Sequence, residues 1–397
     1  MDVFYRSLII LALILFGFSL ALEAVDAVNR NFDDAAYFDD AAYRLDSLDY
    51  EGDAGSNYRW IVVELGAETF MHHDFKANEM MGGLAAIMID VDGRLNDRFS
   101  FFGAFHFDSS PWHDFLNEPL AHRQDAGFAY DVELEVEEFF VDWEILPERL
   151  ELRAGRRFSR FSYANQLHLA DFQFNMKPRI YTSYWGNNHG LAIDGLSLSL
   201  SGETGLAKTV LFAEAAKNGL ASEHTMITTV LDMRFDLGSL DLGVRGFAYY
   251  DHQTENHPLL LGIDETQFDL INLNSGLGLN AGGVGISSLW NLHDGKALLL
   301  QSEWVNRKLG DDFLLGMYAF LQFDFSEKLS ASAMYQQLEI PVVSNDRLLA
   351  EKEQTYTLGV SYFPLPEHRL RLEYNHFNNS AFYNNMILLK YTFIFML

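Results

Sequence analysis

Phe99-Ser-Phe-Phe-Gly-Ala-Phe-His-Phe-Asp108 sets Phe99, Phe101, Gly103, Phe105 and Phe107 against Ser100, Phe102, Ala104, His106 and Asp108. A period of two sends alternate side chains to opposite faces of a strand. The same period runs through Met317 to Phe325 and through Arg369 to Asn375. Soluble sandwiches alternate too, so the connections must discriminate. Tight turns recur at Asp92 to Asp97, Leu146 to Arg149, Ser201 to Gly205, Gly238-Ser239, His293 to Gly295, Ser326 to Lys328 and Pro364 to His368. They make seven hairpins, and a first strand from Trp60 and a last from Met386 bring the count to sixteen. Longer connections, such as Asp108 to Tyr130 and Asp251 to Asn274, lie between the hairpins. Short turns at one end, long loops at the other and an even strand number predict an all-β fold, a transmembrane antiparallel β-barrel. Closure leaves no backbone group unpaired in lipid.

Working outward, the composition agrees. The 397 residues include no cysteine, which excludes disulfides, thiol nucleophiles and Cys-ligated metals. With 56 acidic against 28 basic side chains the formal charge is -28, and no basic stripe offers a nucleic acid a binding surface. Half the residues are apolar, yet the mean hydropathy is only -0.05, as expected when a lipid-facing and a watery face alternate.

Arg6, the apolar run Leu8 to Leu22 and the small residues Ser19 and Ala21 predict a secretory signal peptide over residues 1–21. Residues 22–58 carry ten acids against Arg30 and Arg44, and repeat Phe32-Asp-Asp-Ala-Ala-Tyr37 as Phe38-Asp-Asp-Ala-Ala-Tyr43. Such like-charge density opposes compact folding and predicts a solvated, flexible periplasmic leader. The barrel is expected over 59–397, in the outer membrane of a Gram-negative bacterium, its outer face against lipid and lipopolysaccharide.

Two strands carry extra information. In the fourth, Val132, Leu134 and Val136 give way to Phe139, Val141 and Trp143, so a one-residue bulge near Glu137-Glu138 is expected. In the last, Leu389, Tyr391, Phe393, Phe395 and Leu397 form an aromatic stripe similar to the C-terminal signal read by the barrel-assembly machinery, although Leu397 stands where a terminal aromatic is usual.

The third long loop, Phe158 to about His189, is the longest and is expected to narrow a channel. Around it Arg153, Arg156, Arg157, Arg160, Lys177 and Arg179 outnumber Glu151 and Asp171. On the fifth strand Leu150, Leu152 and Ala154 are expected to face lipid, which turns Arg153 and Arg157 inward. An arginine on the lipid side costs about 2 to 4 kcal/mol at the midplane, so parity and energetics agree. The same reasoning points Arg234, Arg245 and Arg371 inward. Glu133, Glu135, Glu138 and Asp142 of the fourth strand face them. These ladders either set a field across a pore or form salt bridges that hold a wet lumen in shape.

The segment Arg153-Ala-Gly-Arg-Arg-Phe158, then Tyr163-Ala-Asn165-Gln-Leu-His168, Asp171-Phe172 and Trp185-Gly186 through Asp194-Gly195, resembles the signature region of phosphate-selective porin O/P-like proteins. It is closer still to their outer-membrane relatives described as zinc-regulated. The resemblance covers about 45 residues. It implies a 16-stranded channel, usually a homotrimer, and marks Arg156, Asn165, His168 and Asp171. No lysine-rich loop or long arginine ladder accompanies it, so phosphate is not carried over as the permeant.

His72-His73-Asp74, with His252 and His257, are read as loop residues rather than zinc ligands, because adjacent histidines seldom both reach one ion. No nucleophile elbow, P-loop or dinucleotide fingerprint is present. Spaced glycines from Gly276 to Gly285 suit close packing in a strand. The expectation is a non-enzymatic, cofactor-free diffusion channel for small hydrophilic or ionic solutes. The alternatives are an export barrel, a barrel enzyme or a structural outer-membrane protein.

Overall fold

The computed structural model describes residues 60–75, 79–109, 132–166, 174, 177–181, 192–205, 207–218, 221–251, 278–292, 296–309, 312–344, 347–365, 368–378 and 385–396. Residues 1–58, where a signal peptide and an acidic leader are expected, lie outside them, as do His168, Asp171, His252, His257 and Leu397.

Sixteen antiparallel strands close into one barrel. They are β1 (Trp60–Asp74), β2 (Glu79–Asn96), β3 (Phe99–Ser109), β4 (Val132–Leu146), β5 (Leu150–Phe158), β6 (Ala192–Thr204), β7 (Ala207–Asn218) and β8 (Ala221–Asp236). The second half comprises β9 (Leu240–Asp251), β10 (Gly278–Asn291), β11 (Ala297–Leu309), β12 (Asp312–Ser326), β13 (Leu329–Ser344), β14 (Arg347–Leu365), β15 (His368–Asn378) and β16 (Met386–Met396). A four-residue helix, α1 (Tyr163–Gln166), follows β5. The strands that flank the seven expected turns are antiparallel neighbours in chain order, and His293 to Gly295 itself lies outside the described residues.

Closure is made by β1 against β16, in register from Glu64 opposite Met396 to Asp74 opposite Met386. Inside this seam Lys390 pairs with Glu68, whose Oε1 accepts from Thr392 Oγ1 at 2.8 Å. Parity then sorts the last strand. Leu388, Lys390 and Thr392 are buried inside, and Leu389, Tyr391 and Phe393 take the opposite, outward face. Phe395 keeps its place in the ladder by pairing with Leu65.

The bulge in β4 falls where the sequence expects it. Ala104 pairs with Glu138 and Phe105 with Val136, which leaves Glu137 as the extra residue. The outward face therefore continues unbroken through Leu134, Val136, Phe139, Val141 and Trp143, all exposed. Glu137, by contrast, is buried, 3.6 Å from His106 Nδ1.

His72, His73 and Asp74 are not loop residues. β1 runs on through Asp74, so alternation splits them, with His72 and Asp74 buried and His73 on the other face. Extended backbone cannot point neighbouring imidazoles at one ion.

Candidate pore constriction

The chain leaves β5 by turning into the barrel, and Glu214 on β7 holds that departure. Ser159 Oγ donates to Glu214 Oε2 at 2.5 Å, Arg160 N donates to its Oε1 at 3.3 Å, and Arg157 Nε lies 3.8 Å from Oε1. Arg157 Nη1 also donates to the carbonyls of Gly155 and Gly195, each at 3.3 Å. Glu138 Oε1 accepts from Phe158 N at 3.1 Å. Two inward carboxyl groups thus accept from the first free amides of the loop, and one of them stands beside the buried Arg157 guanidinium.

Next comes α1, with Ser162 as its N-cap. Ser162 Oγ accepts from Ala164 N at 3.1 Å and Asn165 N at 3.3 Å, satisfying donors that a helix start leaves open. The same hydroxyl donates to Glu303 Oε2 on β11 at 2.7 Å, and Tyr163 N donates to Glu303 Oε1 at 3.0 Å. Tyr181, from the far part of the loop, and Tyr318, from β12, each donate to Glu303 Oε2 at 2.5 Å. One carboxyl group therefore gathers both ends of the loop and two wall strands. Burial pushes the Tyr163 hydroxyl up to about 12, and burial with Glu303 beside it pushes Tyr181 well above the ordinary tyrosine range.

The loop then reaches the opposite wall. Arg179 N donates to Gln336 Oε1 at 2.7 Å on β13, which is eight strands from β5 in either direction. The Arg179 guanidinium pairs with Glu353 on β14, and both side chains are buried. Loop three thus spans the full width of the lumen.

Packing shows which half it fills. Phe161, Ala164, Phe174, Ile180 and Tyr181 of the loop join a buried apolar cluster with inward residues of β6 to β13. Phe161 meets Phe247 edge-on at 5.3 Å, and Phe174 meets Phe320 at 5.9 Å. Gly285 admits Tyr163, since a Cβ there would lie 2.9 Å from the ring. Such a core inside a barrel holds the loop in one place, as close-packed interiors do.

The loop's cations are engaged within this assembly. Arg153 grips Asp142 through two hydrogen bonds of 2.5 and 3.0 Å and lies 4.1 Å from the Phe140 ring centroid. Arg160 lies over Phe212 at 4.7 Å, and Lys177 over Phe158 at 4.4 Å. Arg245 pairs with Asp232 and stacks on Tyr163 at 4.1 Å. Asn165, fully buried, donates through Nδ2 to Ser159 O at 2.6 Å. Arg371 is buried on the inward face of β15, and Glu135 stands opposite His106 in the β3–β4 ladder. The half of the lumen beside the loop is lined by half-buried Glu64, Asp90, Asp92, Glu138, Asp142 and Glu151 with Arg153.

Arg156 departs from its expected place. It pairs across the ladders with Phe139 and Asp194, both on the outward face, and its Nη1 lies 3.5 Å from Asp194 Oδ2. The expectation grouped it with its neighbours by charge. Strand parity separates it from Arg153 and Arg157 and sends it out of the lumen.

Sequence reasoning missed Glu303, Glu214, Glu353 and Gln336. One signal was there: Glu303 has the inward parity of Leu299, Gln301, Val305 and Arg307, all buried, so the period of two alone turns this acid into the barrel.

No protein-family model matches the chain, and no curated protein sequence does. Solved structures match in fold. OmpT, an outer membrane protein of Vibrio cholerae in a loop L8 deletion form, superposes with a TM-score of 0.54 at 11% identity over 85% of this chain and 99% of that one. OmpF of Salmonella typhi, in complex with daunomycin, gives 0.54 at 10% identity over 85% and 98%. The outer membrane channel DcaP of Acinetobacter baumannii gives 0.52 at 10% identity over 86% and 98%. The closed sixteen-stranded barrel of this chain therefore shares its fold with these outer-membrane proteins.

Proposed function

We propose that the protein is a bacterial outer-membrane porin for passive diffusion of small hydrophilic or ionic solutes, with loop three as its constriction. The observation that carries this reading is the loop's span from β5 to Gln336 and Glu353, which confines any passage to the β14 to β5 side of the lumen. There Arg153 and Arg371 and the acids of β1 to β5 bias which solutes pass, because a low-dielectric wall focuses their field, while Arg157, Arg160 and Arg245 act from the side that the loop fills. Asn165, Lys177 and Arg179 act by holding the loop. Residues 1–21 direct export as a signal peptide, residues 22–58 form a periplasmic leader, and the stripe Tyr391, Phe393, Phe395 and Leu397 addresses the assembly machinery. The mature protein is a homotrimer in lipid and lipopolysaccharide, related to the porin O/P-like proteins through its Arg153 to Phe158 segment. No bond-making chemistry or cofactor is part of this reading.

Planar-bilayer recording of the refolded protein tests it. Discrete conductance steps are expected, and their anion-to-cation preference should move when Arg153 becomes glutamate. A bilayer that stays silent while the protein retains heat-modifiable migration would overturn the channel reading.

A further inference from the structure

Six carboxyl groups form a tract on the wall that loop three leaves open. Glu64 on β1, Asp90 and Asp92 on β2, Asp142 and Glu144 on β4 and Glu151 on β5 have inward parity and are half-buried. Ladder pairing sets them toward the short-turn ends of the strands, whereas loop three leaves β5 at its other end, after Phe158. A solute that passes beside the loop therefore meets this tract. Two of its placements are unfavourable for the sheet itself. Glu64 stands directly opposite Asp90, and Glu144 directly opposite Glu151. Like charges so placed destabilise a sheet, and mobile cations drawn to the wall relieve the repulsion.

The bases at this level are engaged. Arg153 is gripped by Asp142 and has Nη2 3.7 Å from Glu151 Oε1. Arg94, the next inward residue of β2, donates to the carbonyls of Asn96 and Asp97 in the turn. Arg369, at the turn end of β15, lies 5.4 Å from the Phe363 ring centroid. Higher on the same side Lys390 pairs with Glu68, and buried Arg371 alternates with buried Glu373 along β15. Across β1 to β5 the tract thus sets six carboxylates against two guanidinium groups, and the whole chain, with 56 acids against 28 bases, has the same sign.

We infer that the passage admits small cations ahead of anions and that this tract sets the preference. The inference rests on the proposed channel and names the class of solute it favours. Spread over four strands, the carboxylates act as a field along the path and not as ligands of one resident ion. That field reaches about 8 Å into water at physiological ionic strength, and a lumen half filled by loop three keeps a solute close to the wall. Low-dielectric surroundings strengthen it, which is how inward Asp and Glu side chains select cations in a pore. Anions, phosphate included, are repelled by the same charges.

Reversal potentials of the refolded full chain in a KCl gradient test the inference, because potassium and chloride have nearly equal mobility and any preference belongs to the protein. The wild-type protein should favour potassium, more strongly as the salt is diluted. The triple variant Glu64→Gln, Asp90→Asn, Asp92→Asn and the double variant Glu144→Gln, Glu151→Gln should each shift the reversal potential toward zero while conductance steps persist. A second measurement does not depend on the folding of these variants. The chain has no cysteine, so Ser100→Cys on β3, which lies between Arg94 and Asp142 in the ladder, places a single thiol within the tract. A cationic methanethiosulfonate should modify it faster than an anionic one, each rate being corrected for that with a free thiol. Conductance steps that prefer chloride or neither ion, or faster modification by the anionic reagent, would overturn the inference and leave the channel standing. A silent bilayer would instead remove the channel, and the cation preference with it, whatever the labelling rates.

Discussion

Ser162 and Glu303 lie 141 residues apart in the chain and meet at 2.7 Å inside the barrel. This contact couples a helix cap to a wall strand. Ser162 Oγ serves α1 by accepting its free amides and serves the lumen by donating to Glu303. Loss of either partner should therefore loosen the constriction, not merely one hydrogen bond.

Glu303→Ala leaves the hydroxyls of Ser162, Tyr181 and Tyr318 without a shared acceptor, at about 1 to 3 kcal/mol for each group left buried and unsatisfied. We expect a lower midpoint for loss of heat-modifiable migration and noisier open-channel current, because loop three can leave the wall. Unchanged noise would show that the apolar cluster alone holds the loop.

Arg179 and Glu353 should be strongly coupled. Either single substitution, Arg179→Met or Glu353→Gln, strands a buried partner and is expected to cost about 3 to 5 kcal/mol, whereas the double variant should cost less than either. Urea unfolding in detergent micelles measures the cycle. Additive losses would mean that the two side chains do not act as a pair.

Gly155→Ala should fail where most outward or loop alanines succeed. Gly155 has φ of +132°, and a Cβ would lie 2.2 Å from the Phe139 carbonyl oxygen. Backbone cannot yield as a flexible side chain does, so we expect a loss above about 1 kcal/mol and a poor yield of folded barrel on electrophoresis. Normal yield and stability would contradict the strained register of β5 against β4.

Alkaline pH should release loop three. The Tyr163 hydroxyl is pushed up to about 12 in the folded barrel, above its ordinary value of 10.0. The folded state then holds its proton where the unfolded chain has lost it. Stability from this group is complete below pH 10 and is lost as pH rises toward 12. Ultraviolet titration of phenolate absorbance, compared between the wild-type protein and Tyr163→Phe, should show one tyrosine ionising late. A Tyr163→Phe difference spectrum that titrates at the ordinary value would refute the burial.

Much of this barrel was legible in residue order because parity is local. Alternation in Phe99 to Asp108 needs no knowledge of partners, and the change of phase at Glu137 shows its bulge within a dozen residues. The outward stripe of β16 and the inward placement of Arg153, Arg157 and Arg245 follow from the same period. Arg156 obeys it as well. Charge similarity placed it with its neighbours, and counting alternate residues would have placed it outside.

Sequence alone determined the strand number, the hairpin turns and the two faces of the wall, since each depends on neighbours one or two residues apart. Only the tertiary structure decided where loop three goes and what holds it. Its anchors, Glu214, Glu303, Gln336 and Glu353, sit on four different strands, and closure of the barrel is what brings them within reach of residues 159 to 181. A contact between chain positions more than a hundred apart leaves no periodic trace in either segment, because its energy comes from burial that exists only after the sheet has closed on itself.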